Sequence, residues 1–154
     1  MKSPVNMVDV PAEYDKPFPA PLKHKLGKTE FRRLGEYFNL TRIGVNHEII
    51  MPGGMSALRH WHTDSDEIVF ILQGEAILKT ESKSIVMKQG SCVGFKAGDA
   101  NGHHLINESE EVLIILVIGN RSEHDQVIYS DDDLQWIKDG NHLVAAKKDG
   151  TPYN

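Results

Sequence analysis

The sequence reads GMSALRHWHTDSDEIVFILQG from residue 54 to residue 74, and this stretch joins two histidines and a carboxylate to an apolar run. His60 and His62 stand two residues apart, and Glu67 follows five residues after the second of them. Residues i and i+2 of a β-strand point to the same face, so both imidazoles would lie on one side of a strand. Two imidazoles with a carboxylate close behind provide most of the donors of a divalent-metal site.

A third imidazole would complete the donor set, and the pair His103 and His104 can supply it. Neighbouring residues of a strand point to opposite faces, so we expect only one of the two to face the other donors. Nitrogen and oxygen donors without a thiolate suit Fe(II), Mn(II), Ni(II), Co(II) or Zn(II), and intrinsic affinity does not choose among these ions. The sequence therefore predicts a divalent transition metal of unspecified identity as cofactor.

Length and composition fit one globular domain, with 154 residues of which 40% are hydrophobic and 25% are charged. The net charge of −5 disfavours nucleic acid as a partner, because a phosphate backbone needs a basic surface. No apolar run approaches the roughly 20 residues that span a bilayer, and the N-terminal sequence lacks the apolar stretch of a signal peptide. The single cysteine, Cys92, fits a reducing compartment and reads as a buried strand residue. We therefore expect a cytoplasmic protein without nucleic-acid or membrane partners.

Three regions follow one another in this domain: an N-terminal arm over residues 1–39, a core over 40–120 and a C-terminal extension over 121–154. Proline fixes φ and removes a backbone donor, so the arm is expected to be extended and partly irregular. Residues 29–38 are at most weakly helical, since Gly35 disfavours a helix. An extended arm could cover the sheet edge of a second copy, which predicts a homodimer. Five of the seven prolines lie in the arm, namely Pro4, Pro11, Pro17, Pro19 and Pro21.

Short β-rich segments alternate with turn signals from residue 41 onward. Residues 68–72 and 76–79 flank Gly74 in the manner of a tight hairpin. The apolar run 112–118 fits a strand buried on both faces. A late hairpin is predicted from 134–137 and 142–146, with its turn at Asp139-Gly140. Many short strands with glycine turns between them indicate an all-β antiparallel sandwich or barrel.

Five residues of the opening stretch stand in the order G-x5-H-x-H-x4-E-x6-G, and this pattern resembles the first signature block of the cupin superfamily without a mismatch. A second block, G-x5-P-x-G-x2-H-x3-N, is met in part. Lys96 stands where the family has proline, and the loop before His103 is two residues longer than the pattern. His103 keeps the four-residue step to Asn107, so by resemblance it takes the ligand role. The matching residues are Gly54, His60, His62, Glu67 and Gly74 in the first block, and Gly90, Gly98, His103 and Asn107 in the second.

The resemblance covers about residues 40–120 and is closest to the small, single-domain bacterial cupins, for which it implies no particular activity. It implies a double-stranded β-helix, or jelly-roll barrel. It also implies a metal centre held by His60, His62, Glu67 and His103. Cupins include oxalate oxidases, dioxygenases, sugar-phosphate isomerases and sugar binders without catalytic activity, so the fold alone does not choose a function.

Three functions stay open, each with a small molecule as ligand. The first is a metal-dependent enzyme acting on a small oxygenated molecule by oxygenase-type or isomerase-type chemistry. The second is a metal-containing module that binds or senses a sugar-like ligand without turnover. The third is a metal-free sugar isomerase or epimerase in which histidines act as acid and base. The presence of Glu67 disfavours this third function, because a metal-free site need not keep a carboxylate at that position.

Several neighbours of the motif have subsidiary expected roles. Arg59 and Trp61 alternate with the histidines, so on a regular strand they should face away from them, packing or covering the barrel mouth. Asp64 or Asp66 could accept a hydrogen bond from an imidazole N–H. His47 is of interest because its strand leads into the motif.

Overall fold

A computed structural model describes residues 2–139 and 142–153, and strands dominate it. The helical segments are short: two α-helices, α1 (Ala20–Lys23) and α2 (Leu34–Tyr37), and two 3₁₀ turns, Met7–Asp9 and His24–Leu26. Within the described residues, no helix has the length and apolar character needed to cross a membrane. The strands are β1 (Thr29–Arg33), β2 (Ile43–Ile50), β3 (His60–His62), β4 (Glu67–Gln73), β5 (Glu75–Lys79), β6 (Ser84–Lys88), β7 (Cys92–Phe95), β8 (His104–Ile106), β9 (Leu113–Asn120), β10 (Val127–Tyr129), β11 (Gln135–Asp139) and β12 (His142–Ala146).

The strands form antiparallel sheets arranged as a jelly roll. One sheet has the order β1-β2-β9-β4-β7 and a second has the order β6-β5-β8. The apolar run becomes β9, the central strand of the larger sheet, paired with β2 on one side and β4 on the other. Two ribbons, β3 with β10 and β11 with β12, complete the set. The all-β jelly-roll prediction is confirmed.

The predicted hairpin around Gly74 is wrong. Although β4 and β5 are consecutive, they do not pair: β4 pairs with β7 and β9, whereas β5 pairs with β6 and β8. Gly74 is the corner at which the chain leaves one sheet for the other. Its φ of +83° lies in the left-handed region, and a Cβ on it would lie 2.6 Å from the carbonyl oxygen of Val112. The turn signal at Gly74 indicates a change of chain direction, but the local sequence does not reveal which strands pair on either side of it.

Replacing Gly74 with alanine is expected to lower the free energy of unfolding by roughly 2–4 kcal/mol, because both the left-handed backbone and the contact with Val112 become unfavourable. Gly90 provides a matched control, since its φ is +86° and nothing lies within 4 Å of a Cβ there. Gly90→Ala should cost only about 1 kcal/mol, the conformational part. Urea unfolding of both variants measures the loss of unfolding free energy. Equal losses would show that the close approach of Gly74 to Val112 makes no contribution to stability.

Other segments depart from the expectations in part. Residues 29–38 form strand β1 followed by the single turn α2, because β1 pairs with β2 along its whole length. Tertiary pairing overrides the weak local preference there. The arm packs on its own chain, where Glu13 forms a β-bridge with Phe31; the homodimer stays a prediction. Cys92, expected to be buried, is exposed on β7. The late hairpin is confirmed as β11 and β12, and Gly140 of its predicted turn lies outside the described residues.

Two apolar clusters hold the molecule together. The main core lies between the two large sheets and supports the strands that carry the motif. A second cluster joins the arm, the segment just before β3, strand β10 and the C-terminal extension. The main core comprises Ile50, Val69, Ile71, Ala76, Leu78, Met87, Leu105, Leu113 and Ile115, and the second contains Leu26, Leu58, Tyr129 and Leu134.

Candidate metal centre

Strand β3 brings the two histidines of the HxH motif to one face. Its three residues pair with β10, placing Tyr129 opposite His60 and Val127 opposite His62. On the other side His60 forms a β-bridge with His103, with backbone N–H to carbonyl distances of 2.8 and 3.1 Å. The chain therefore brings three histidines from two distant segments onto neighbouring strands, next to Glu67 at the first position of β4.

The side chains of this group meet around the carboxylate of Glu67. Ligand atoms of His60, His62 and Glu67 all lie within 4.8 Å of one another. His62 Nε2 lies 3.9 Å from Glu67 Oε2, and His103 Nε2 lies 3.0 Å from Glu67 Oε1. His104 points elsewhere, with its Nδ1 3.0 Å from the carbonyl oxygen of Ala57. The structure thus groups His60, His62 and Glu67, with His103 joined to them through the carboxylate of Glu67, and leaves His104 apart.

Hydrogen bonds fix which nitrogen is free in two of the three imidazoles, those of His60 and His62. His60 Nδ1 lies 2.8 Å from the carbonyl oxygen of Leu58, to which only a protonated nitrogen can donate. His62 Nδ1 lies 2.6 Å from Asp125 Oδ2 and donates to that carboxylate. Both bonds leave Nε2 with its lone pair toward the cluster, the form that binds a metal. The ring of His103 is held by stacking on Phe95, with 3.4 Å between ring centroids.

Asp125 is a functional neighbour that the sequence reasoning missed. Asp64 and Asp66 are loop acids, either of which could by sequence accept from an imidazole N–H, but they bind other groups: Asp64 accepts from Ser122, and Asp66 accepts from the backbone N–H of Ala97. Asp125 is itself oriented by the backbone N–H of Asp64, 2.9 Å from its Oδ1. It lies 63 residues from His62 in a segment without a motif, so only the pairing of β10 with β3 reveals its role.

Comparisons with known proteins concern the family and the fold of this chain. The family model of the cupin domain matches residues 46–119. A solved structure described as a sugar phosphate isomerase from the cupin superfamily, from Silicibacter pomeroyi, is 30% identical, with a TM-score of 0.90 over 99% of this chain and 97% of that one. The chain belongs to the cupin superfamily. No curated protein matches it.

Two further solved structures are similar to this cupin. One, described as a candidate sugar phosphate isomerase from Acidithiobacillus ferrooxidans, is 27% identical, with a TM-score of 0.70 over 79% of this chain and 77% of that one. The other, described as a predicted oxalate decarboxylase from Thermotoga maritima, is 20% identical, with a TM-score of 0.64 over 78% of this chain and 100% of that one. At that lower identity the likeness concerns the fold alone.

Burial and mutual contact set the charge states of the cupin cluster. Burial lowers the pKa of His60 to about 4, in spite of the nearby carboxylate of Glu67. Burial alone would raise the pKa of Glu67, but the hydrogen bond with His103 and the neighbouring imidazoles hold it below its usual range. A neutral His60 beside an ionised Glu67 is the protonation state that a divalent metal requires of these two donors, so they fit such an ion.

The metal-free protein should lose stability as the pH falls from about 6.5 towards 4, because His60 takes up a proton in the unfolded chain before it does so in the folded one. The loss attributable to His60 between pH 7 and pH 5 is about 2 kcal/mol. Urea unfolding at the two pH values measures it, with His60→Gln as the variant that lacks this contribution. An equal pH dependence in wild type and variant would contradict the burial of a neutral His60.

Removing the charge of Asp125 should weaken metal binding by roughly 10–100-fold, the usual effect of losing the partner that orients a ligating imidazole. Asp125→Asn keeps the shape but cannot accept as strongly from His62 Nδ1. Asp66→Asn is the matched control, since Asp66 contacts no cluster histidine among its described hydrogen bonds. Zinc titration against a chelating indicator compares the variants. Equal zinc affinities in Asp125→Asn and Asp66→Asn would show that Asp125 does not support the metal site.

Two cavities adjoin the cluster. The outer cavity, of about 390 Å³, is lined by His62 and His103 together with Trp61, Lys83 and Lys96, among others. The inner cavity, of about 150 Å³, lies within the barrel. Its wall includes Lys16, Glu48, His60, Glu67 and His103. Because His103 borders both cavities, the cluster lies where they approach each other.

The flanking residues of the motif occupy separate positions. Arg59 binds the carboxylate of Asp131 with two hydrogen bonds of 2.6 and 2.7 Å and also contacts Glu81. These bonds raise its pKa further above its ordinary value, and they tie the start of β3 to the chain after β10. Trp61 lines the outer cavity, in keeping with its expected place at the barrel mouth. His47 is buried and pairs across the sheet with Arg32, outside both cavities.

Proposed function

We propose that this cupin is a metal-dependent enzyme that acts on a small oxygenated molecule, with a divalent transition metal held by His60, His62, Glu67 and His103. The observation that carries the proposal is the convergence of three imidazoles on one half-buried carboxylate, two of them with Nε2 left free by hydrogen bonds at Nδ1. An ionised carboxylate and free Nε2 atoms are the donor forms that a divalent metal binds.

The residues of the site have different roles in this proposal. His60, His62, Glu67 and His103 would hold the metal, which would supply Lewis-acid polarisation of a substrate oxygen. Iron, manganese, nickel, cobalt and zinc all suit this donor set. Phe95 and the Leu58 carbonyl keep two of the imidazoles in their orientations. The outer cavity gives a polar approach to the centre.

Isomerase-type chemistry on a sugar or sugar phosphate is the form of this function that we favour. Two of the similar structures carry that description, one of them at 30% identity over almost the whole chain. The outer cavity suits a polyhydroxylated ligand, because hydroxyl, amide and ammonium groups can bond its oxygens. These groups are Thr80, Ser82, Lys83, Lys96 and Asn101.

Metal analysis followed by turnover assays tests the proposal. Protein loaded with each of the five metals is incubated with aldoses, ketoses and their phosphates, and aldose–ketose interconversion is followed by NMR. We expect turnover that a chelator abolishes and that returns when the metal is restored. Turnover that survives the chelator would favour a metal-free isomerase, and tight sugar binding without turnover under any metal would favour a binding or sensing module.

A further inference from the structure

The N-terminal arm delivers a lysine into the barrel beside the candidate metal centre. The ammonium of Lys16 lies 2.7 Å from Glu48 Oε2 and also contacts the carbonyl oxygen of Ser56. Only 10% of the Lys16 side chain and 9% of the Glu48 side chain are exposed. Lys16 borders the inner cavity with three cluster residues, His60, Glu67 and His103. The arm therefore belongs to the wall of this cavity.

Stability alone does not account for this ion pair. Desolvating an ammonium and a carboxylate costs about as much as their attraction returns, and apolar residues of similar size often serve as well or better. The neighbouring wall is already apolar, with Val69, Leu105, Ile115 and Val117 around the same cavity. A buried lysine at this position therefore indicates that its ammonium has a function in the cavity itself.

The ammonium has an unused donor for such a task. It carries three N–H bonds, and its described hydrogen bonds use two of them, on Glu48 and Ser56. The carbonyl of Ser56 and the carboxylate of Glu48 fix its position, and the face of Phe31 lies 5.6 Å away. Asn46, two residues from Glu48 on the same face of β2, adds an amide to the cavity wall. A small ligand in this cavity would meet the ammonium of Lys16, the amide of Asn46 and the carboxylates of Glu48 and Glu67.

We propose that Lys16 is a ligand-binding residue, and that the inner cavity takes the small, negatively charged end of the substrate, a carboxylate group on a unit of two to four carbon atoms. The size limit comes from the cavity, whose 150 Å³ falls below the roughly 300 Å³ at which pockets for drug-sized ligands begin. The charge preference comes from Lys16 and the bound divalent metal together, whose three positive charges exceed the two negative charges of Glu48 and Glu67. The role in catalysis rests on the proposed function above, whereas binding of the anion is measurable without turnover.

Glycolate binding to the zinc-loaded protein tests the assignment, with ethylene glycol as the uncharged probe of equal carbon number. Lys16→Met keeps the length of the side chain and removes the charge. Lys23→Met is the matched control, because Lys23 lies on the same arm but pairs with the exposed Asp15 at the surface. Zinc content is measured first, so that an effect on the metal is separated from an effect on the ligand.

We expect all three proteins to hold one zinc, and Lys16→Met to bind glycolate at least ~10-fold more weakly than wild type and Lys23→Met do, the effect of losing a hydrogen bond to a charged group. Ethylene glycol should show no such difference. Equal glycolate affinity in Lys16→Met and wild type would overturn the proposal, as would the absence of glycolate binding to wild type at millimolar concentration.

Two further experiments distinguish a failure of this proposal from a failure of the proposed function. If wild type holds no zinc, the proposed function fails, and the glycolate comparison is repeated on the metal-free proteins. Binding should then be weaker in every protein, because Glu48 and Glu67 outnumber Lys16 in the cavity wall, but the same ratio between wild type and Lys16→Met is expected. If Lys16→Met does not fold, a crystal structure of wild type with glycolate decides it. A glycolate oxygen within hydrogen-bond distance of Lys16 Nζ is the expected result, and glycolate bound outside the inner cavity would overturn the proposal.

Discussion

The double variant His60→Ala/His62→Ala is expected to lose metal binding, with an affinity reduced by more than ~100-fold. Loss of a single orienting partner already costs roughly 10–100-fold, and this variant removes two of the four proposed donors outright. The variant should still fold, because the main core draws on neither histidine. Stability of the metal-free protein should change little at neutral pH, since the site adds stability chiefly through the bound ion.

A double variant of two exposed histidines, His24→Ala/His124→Ala, is the matched control. It removes the same number of imidazoles from the protein and leaves the cluster intact. Metal content after equilibrium dialysis, with circular dichroism as the test of folding, compares the two. If the His60→Ala/His62→Ala protein retained stoichiometric metal, the centre would lie elsewhere in the molecule.

The single variants His103→Ala and His104→Ala should differ sharply. We expect His103→Ala to weaken metal binding by more than ~100-fold, because a lost donor removes a bond to the ion and opens the site to water. His103 Nε2 lies 3.0 Å from Glu67 Oε1. His104→Ala should have a small effect, because its ring points to the Ala57 carbonyl, away from the cluster.

The pair serves as its own control, since the two residues are neighbours in the chain and lose the same group. Affinity for Zn(II) or Co(II), measured by competition with a chelator, separates them. A larger loss in His104→Ala would reverse the assignment of the third imidazole. Equal and small losses would mean that neither histidine is a ligand.

Patterns close together in sequence predicted much of this molecule. The HxH spacing placed His60 and His62 on one face of a strand, and the apolar run predicted the central strand β9, although only Leu113 and Ile115 of that strand are buried and not both of its faces. The two-block resemblance gave the jelly roll and pointed to His103 over His104. These features depend on strand alternation and on short spacings, which the sequence displays directly.

What the sequence did not predict depends on contacts between distant segments. Asp125 reaches His62 because β10 pairs with β3, and Lys16 reaches the inner cavity because the arm folds back onto its own barrel. Neither residue has a spacing that marks it. The corner at Gly74 shows the same limit, since a turn signal fixes the local backbone but not the partner of each strand. Even the exposure of Cys92 follows from the position of β7 at the edge of its sheet.

A crystal structure of the zinc-loaded protein, with anomalous data collected on both sides of the zinc absorption edge, tests the central claim most directly. The account predicts one strong anomalous peak within about 2.0–2.2 Å of the Nε2 atoms of His60, His62 and His103 and of a carboxylate oxygen of Glu67. An empty cluster at saturating zinc, or a peak bound by other residues, would contradict it.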